Sequence, residues 1–419
     1  MAKTLLLAGP VLFLLVLATA LFGADRPAFA LFLSGAFLSV GAVAAWVTPR
    51  IRLTPAIWLG LWGGAIVVLG QSLGPHPAIS LPDLAVLLAA GAVYLTMAGA
   101  VSTGRQAEHV FRAMSIAVLL VGIAAFFNFI ASPDTVYGQS KAFHEGRLTA
   151  AFLSANTAAT LFGMFSLFGL AGVLRVLGGG GLAGIFDRLG KGATLPLLVL
   201  IFSLTCLMLT GSRGGIAATI VAGAGLIFWD RQEAKSKLPF WVPVLAILIV
   251  GAGLTAASGS VLGDRLTEGA IDGNGRMLIW QVSLAAFQGA PLFGHGFGRF
   301  EEAIAPHITL ETAPILIQQG AAHNLLLQWL VQGGIVGVAG GLAILTAAIL
   351  PLRAGLARRR RQRGMMKLAG AMMLLVLLHG MLDYGLEIPA VVWWLSAFLG
   401  LGAGVAAAEK TAKKKSPGQ

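Results

Sequence analysis

Twelve stretches of this chain are apolar over roughly the ~20 residues that an α-helix needs to cross a bilayer. They fall at approximately 4–22, 28–47, 56–73, 83–101, 113–131, 157–177, 194–210, 214–229, 240–258, 323–350, 367–386 and 389–408. The expected fold is an all-α polytopic membrane protein of about 12 transmembrane helices, built as a single transmembrane domain over residues 1–419. Charged residues make up only 11% of the sequence, against about 25% in soluble domains. That is too little polar surface to face water around a chain of this length, which excludes a cytosolic enzyme or a secreted disulfide scaffold. Cys206 is the one cysteine, so no disulfide or multi-thiolate metal site forms within one chain. Glycine, at 56 of 419 residues, is about double the usual ~7% and suits close helix packing in lipid.

The net charge of +12 looks at first like a nucleic-acid signal, but in a membrane protein the placement of charges matters more than their sum. With the N-terminus in the cytoplasm, 22 of the 29 Lys and Arg fall on the cytoplasmic side, and 12 of the 17 acids on the other. The Lys and Arg bias predicts that both ends are cytoplasmic. The Arg358–Arg361 run and the basic tail at 409–419 then anchor the protein to anionic membrane lipids; no nucleic-acid partner is expected. The first run is too long for a typical signal-peptide core, and its removal would spoil the parity, so it is kept as a helix.

Two non-cytoplasmic segments exceed simple turns: Ser132–Asn156 and the much larger periplasmic loop 259–322, between helices 9 and 10. Within the large loop, 275–288 has helical apolar spacing at Met277, Trp280, Leu284 and Phe287, predicting an amphipathic helix at the interface. A glycine-dense turn, Gly289–Gly298, follows it.

Several chemistries fail on their own spacing. Gly184–Gly192 approaches a phosphate-binding loop but has five residues before Gly190-Lys191, and glycine where Ser or Thr must hold magnesium. Gly294-x-Gly296-x-Gly298 lacks the setting of a dinucleotide site, and Glu301-Glu302 reads as a solvated loop face. Neither a cofactor nor a metal is expected. What remains is a set of cations and histidines on a face otherwise poor in basic residues. Arg213 lies in the near-loopless turn Gly211-Ser-Arg-Gly-Gly215, Arg276 opens the amphipathic helix, and Arg147 precedes helix 6. An arginine at the mouth of a bundle is costly unless paired or binding an anion, and planar guanidinium forks match phosphate oxygens. His323 begins helix 10, where the long loop re-enters the membrane, and nine residues separate Asn324 from Gly334-Ile-Val-Gly337, a step where helices could pack closely.

Taken together these residues resemble the O-antigen ligase and polymerase superfamily of bacterial envelope glycan transferases, with a GT-C-like fold. The ligase signature H-[NSQ]-x9-G-x-x-[GTY] is matched by His323, Asn324, Gly334 and Gly337. Around it stand Gly-Ser-Arg-Gly-Gly, Gly275-Arg-x-x-x-Trp280, Pro291-Leu-Phe-Gly-x-Gly296, Gly146-Arg-Leu-Thr-Ala-Ala-Phe-x-x-x-Asn156 and a late Asp383. The likeness runs over about 146–400; His295 departs from it, standing where a small or apolar residue is expected. The resemblance implies a multi-pass enzyme of the bacterial inner membrane with its active site facing the periplasm. Its donor would be an undecaprenyl-pyrophosphate-linked glycan, and its acceptor a hydroxyl of lipid A–core or another glycan. Arg213 and Arg276 would carry the pyrophosphate's charge and His323 would act as general base, with inversion of the anomeric centre. Arg147, Asn324, Asn156, Trp280 and His295 are candidate substrate-binding residues. A polymerase of the same superfamily shares these motifs. A lipid-linked sugar transporter is the different-class alternative, but such proteins often show two related halves, and none match here.

Overall fold

The computed structural model describes residues 2–48, 54–75, 80–141, 143–177, 192–234, 269–317, 319–358 and 362–408. The predicted ninth span, 240–258, the first part of the large loop and the basic tail lie outside the described residues. The long helices are α1 (Ala2–Ala20), α2 (Pro27–Val47), α3 (Pro55–Leu73), α4 (Leu81–Gly99), α5 (Gly104–Ala131) and α6 (Ala155–Leu177). They continue as α7 (Thr194–Leu209), α8 (Arg213–Ala234) and α9 (Gly269–Gly289). After two short helices, α10 (Phe300–Ile304) and α11 (Ala313–Leu316), come α12 (Leu325–Arg358), α13 (Arg363–Gly380) and α14 (Pro389–Ala407). Eight of the described helices, α2 to α6 and α12 to α14, are long and apolar enough to cross a membrane.

Helix starts follow local chemistry. Proline occupies the first turn of α2, α3, α4 and α14, where its missing N–H costs nothing. A capping box between Thr103 and Gln106 starts α5 at Gly104, well before the apolar run begins at 113, because the first turns project past the apolar zone. At the other extreme α13 stops at Gly380, short of the predicted 386, since Asp383 and Glu387 are more easily accommodated in a turn.

Helix α6 runs through the middle of the bundle, with 89% of its apolar window buried, and α14 is nearly as enclosed at 83%. Between them Trp394 stacks on Phe398 and packs edge-on to Phe165, forming the centre of the main core. Helices α3 and α12 pair along the periphery. A Cβ on Gly63 would lie 2.7 Å from the Gly340 carbonyl oxygen, so this pair approaches as closely as bare backbone allows.

The connections 21–26, 132–154, 210–212, 289–324 and 381–388 gather on one face. Arg26 donates to Gln139 at 2.7 Å, Leu148 N donates to Leu209 O at 2.9 Å, and Gly23 abuts Phe152 and Ile388. On the opposite face buried Lys367 pairs with Asp230 at 2.9 Å, and Arg175 with Glu108 at 2.8 Å.

Over 275–288 the helix α9 buries Ile279, Val282 and Ala286 in a small second core with Phe300, Ala303 and Ile304. Met277 and Leu284, predicted on the apolar stripe with Trp280 and Phe287, are exposed. The sequence stripe is rotated because α9 packs on its own loop as well as presenting an apolar side outward.

The most consequential deviation is in α12. Gly334 takes φ +62° and breaks the helix, so the Gly334–Gly337 step is not a helix-packing surface. The break leaves backbone groups of Val331, Gln332, Ile335 and Val336 unpaired within the helix, and the glycine turn supplies them. His295 N and Gly296 N donate to the Val331 and Gln332 carbonyls at 2.8 and 2.9 Å. Ile335 N and Val336 N donate to the Pro291 and Leu292 carbonyls at 2.9 and 3.0 Å. A Cβ on Gly334 would lie 2.3 Å from the Leu292 oxygen, so only glycine fits, in both conformation and space. Two motifs distant in sequence are thus one backbone-to-backbone joint.

Candidate active site

The turn Ala322-His323-Asn324 is fixed from four sides. Trp280 Nε1 donates to the Ala322 carbonyl at 3.0 Å, and Ala322 N donates to Gln328 Oε1 at 2.7 Å. Asn324 Oδ1 caps α12 by accepting from Leu326 N and Leu327 N at 3.0 and 3.1 Å. Its Nδ2 donates to the Met381 carbonyl at 3.2 Å, tying the start of α12 to the end of α13. Between these anchors His323 is held at φ +50°, a left-handed conformation that non-glycine residues adopt only when their surroundings over-determine it.

The imidazole of His323 is 24% exposed. Its Nδ1 edge faces Asp383 Oδ1 at 3.5 Å, its Nε2 lies 3.1 Å from Gln319 Oε1, and Tyr384 packs edge-on at 4.9 Å. Asp383 is 1% exposed, and neither carboxylate oxygen has a hydrogen bond among the described residues. Burial pushes the Tyr384 phenol up to about 12, so it stays protonated.

Beside this pair lies a histidine that the sequence reading missed. His379 is 2% exposed, and its Nδ1 is 2.8 Å from Thr160 Oγ1. Its ring packs on Gly214 and Gly215 of the arginine turn, where an added Cβ would come within 3.3 and 3.2 Å. Both Asp383 and Arg276 lie within its electrostatic reach. The signal was present as His379 and Asp383, two polar residues close together at the end of an apolar run.

Arg213 is the first residue of α8, whose N-terminus is capped by buried Ser212: Oγ accepts from Gly215 N at 3.4 Å. Arg213 and Arg276 are both half-buried, and among the described residues neither makes a hydrogen bond or an ion pair. Arg276 lies within electrostatic reach of His379, and Arg213 heads the turn on which His379 packs, at a helix N-terminus whose dipole favours anions.

Arg147 is differently placed. It is 7% exposed and donates to the Thr210 carbonyl at 2.7 Å and to Asn156 Oδ1 at 3.4 Å. Its carbonyl accepts from Lys141 Nζ at 3.0 Å, and Lys141 is itself 1% exposed. Burial holds that ammonium below the ordinary lysine range. Arg147 and Asn156 thus brace the turn that presents Arg213. His295 Nε2 donates to the Ala286 carbonyl at 2.7 Å, capping the end of α9. The geometry brings His323, Asp383 and Tyr384 together, with His379 and Arg276 within electrostatic reach and the Arg213 turn packed on His379; Trp280 and Asn324 hold the histidine turn in place.

A multi-helix membrane protein with a histidine–carboxylate pair and half-buried arginines at one end of its bundle is the class these features define. The family model described as O-Antigen ligase matches residues 198–342, the segment holding Arg213, Arg276, the glycine joint and His323. Residues 198–342, about a third of the chain, are thus similar to the O-Antigen ligase family. No curated protein matches the chain.

Proposed function

We propose that this protein is an O-antigen ligase-type glycosyltransferase of the bacterial inner membrane, with the His323 face periplasmic. It moves a glycan from undecaprenyl pyrophosphate to an acceptor hydroxyl, lipid A–core being the acceptor the ligase reading implies. The Lys and Arg bias supports the orientation, and the family match supports the reaction class. The observation that carries the mechanism is the buried Asp383 carboxylate, without a hydrogen bond among the described residues, facing His323.

With Nδ1–H directed at Asp383, the His323 Nε2 lone pair is the base. The acceptor hydroxyl takes the position now held by the Gln319 amide oxygen and gives its proton to Nε2. Its oxygen forms the new bond to the anomeric carbon as the carbon–oxygen bond to pyrophosphate breaks, with inversion. The departing pyrophosphate gains negative charge, which Arg213, Arg276 and the α8 N-terminus stabilise. Asp383 fixes the imidazole and stabilises the imidazolium formed in transfer. His379 positions the Gly214-Gly215 turn, and through it Arg213.

In a deletion strain, loss of all long-chain lipopolysaccharide with accumulation of undecaprenyl-linked polymer supports the ligase. A core carrying a single repeat unit identifies a polymerase instead. Asp383→Asn keeps the shape but not the charge, and its single-turnover transfer is expected to fall about 10²-fold or more, with donor binding retained. Since the arginines supply the cationic charge, purified enzyme treated with a chelator is expected to keep full transfer. Loss of activity restored by magnesium would overturn that part of the mechanism.

A further inference from the structure

The same turn that brings Asp383 to His323 carries Glu387 to a second polar group, which the proposed chemistry does not use. Glu387 is half-buried and its carboxylate faces the side chains of Gln328 and Gln332 on α12. Gln328 and Gln332 are 2% and 3% exposed, and Gln71 at the end of α3 is 4%. Gln71 Oε1 accepts from Phe297 N at 2.7 Å, and Gly296 N donates to the Gln332 carbonyl at 2.9 Å. The two glutamines therefore flank adjacent residues of the glycine turn. Two of their polar atoms, Gln71 Nε2 and Gln332 Oε1, are buried without a hydrogen bond among the described residues. Asp83 at the start of α4 is exposed, lies within electrostatic reach of Glu387, and has its carboxylate beside Gly298.

A buried amide N–H and a buried amide oxygen left unmade are costly, and together with carboxylates they form the donor and acceptor set that reads sugar hydroxyls. The Phe297 and Trp329 rings, edge-on at 5.2 Å, adjoin the same turn. The Asp83 and Glu387 carboxylates disfavour a phosphorylated or acidic sugar, and the cation adjoining the turn, Arg299 beside Gly296, is paired with Glu302 at 3.2 Å. We propose that Gln71, Gln332, Glu387 and Asp83 form a subsite for a neutral sugar of the acceptor, next to His323. The assignment to the acceptor rests on the transferase reading; the chemistry of a neutral polyhydroxyl ligand does not.

The test uses full-length enzyme in lipid nanodiscs and a delipidated core oligosaccharide ending in a neutral hexose. Gln71→Glu keeps the oxygen that Phe297 N needs but removes the free N–H; Gln332→Met removes the free oxygen. Each is expected to weaken oligosaccharide binding, measured directly by calorimetry, about tenfold, the worth of roughly one hydrogen bond. The acceptor KM should rise alongside, with donor KM unchanged and melting temperature within a few degrees of wild type. A phosphorylated version of the oligosaccharide should bind the wild type more weakly. Unchanged oligosaccharide binding in both variants, or a donor KM that moves in place of the acceptor's, overturns the subsite. Should a variant fail to fold, Glu387→Gln provides the same reading. Wild-type enzyme that binds the oligosaccharide but transfers nothing onto it would refute the transferase reading and leave the sugar subsite standing.

Discussion

His323→Gln, purified and loaded with donor, is expected to transfer glycan about 10²–10⁴-fold more slowly than wild type while binding donor equally well. That range is the usual worth of a positioned general base, and at 1.36 kcal/mol per tenfold it corresponds to roughly 3–5 kcal/mol of barrier. Glutamine is the informative replacement because it retains hydrogen-bonding capacity but cannot take up the acceptor's proton. His323 sits at φ +50° in a turn held by Trp280, Gln328 and Asn324, so the substitution leaves the backbone's anchors in place. Single-turnover transfer with near-wild-type rate and intact donor binding would remove His323 from the mechanism and make it a packing partner of Tyr384.

The second large effect is expected at the arginines. Arg213→Ala or Arg276→Ala should lower kcat/KM about 10²–10³-fold, as loss of one preorganised donor to a developing anion does. Unlike His323→Gln, either change should also weaken donor binding, because pyrophosphate is charged in the ground state too. Lysine at either position should recover only part of the loss, since it restores charge without the planar fork. Donor titration and initial rates on the purified variants check this. An alanine variant with full ladders and unaltered donor affinity would sink the assignment. Arg147→Ala is a contrasting case: its guanidinium is committed to Thr210 and Asn156, so its loss acts through the turn that presents Arg213.

Much of this architecture is legible in the sequence because lipid demands continuous apolar runs; eleven of the twelve runs overlap described helices, eight of which are long and apolar enough to cross a membrane. The helix ends were less legible. Capping at Thr103 and the polar turn at Asp383 act over a few residues, below the resolution of a run twenty residues long. His323, Arg213 and Arg276 stand out as polar residues at the mouths of apolar helices, and they are the residues on which the proposed site is built. His379 was hidden by the opposite circumstance: it lies within an apolar run, and its partner Thr160 is 219 residues away. The glutamines at 71, 328 and 332 carry no charge to mark them, and only the fold brings Gln71 to the glycine turn and Gln328 and Gln332 to Glu387. Gly334 was legible as a small residue, but the sequence could not distinguish helix packing from helix breaking, because both call for the missing Cβ.

The glycine joint at Gly334 also acts as a ruler. Backbone bonds to the Pro291–Gly296 turn clamp α12 at that point, and a stretch of helix then sets the height and bearing of His323. Nine residues lie between Asn324 and Gly334. At about 1.5 Å and roughly 100° per helical residue, one added residue would swing the imidazole about a quarter-turn away from Asp383. Four added residues would nearly restore the bearing but lift the ring about 6 Å, beyond reach of the carboxylate. The interval between the histidine and the glycine is therefore a dimension of the proposed catalytic centre, as binding on the chain as the identity of either residue.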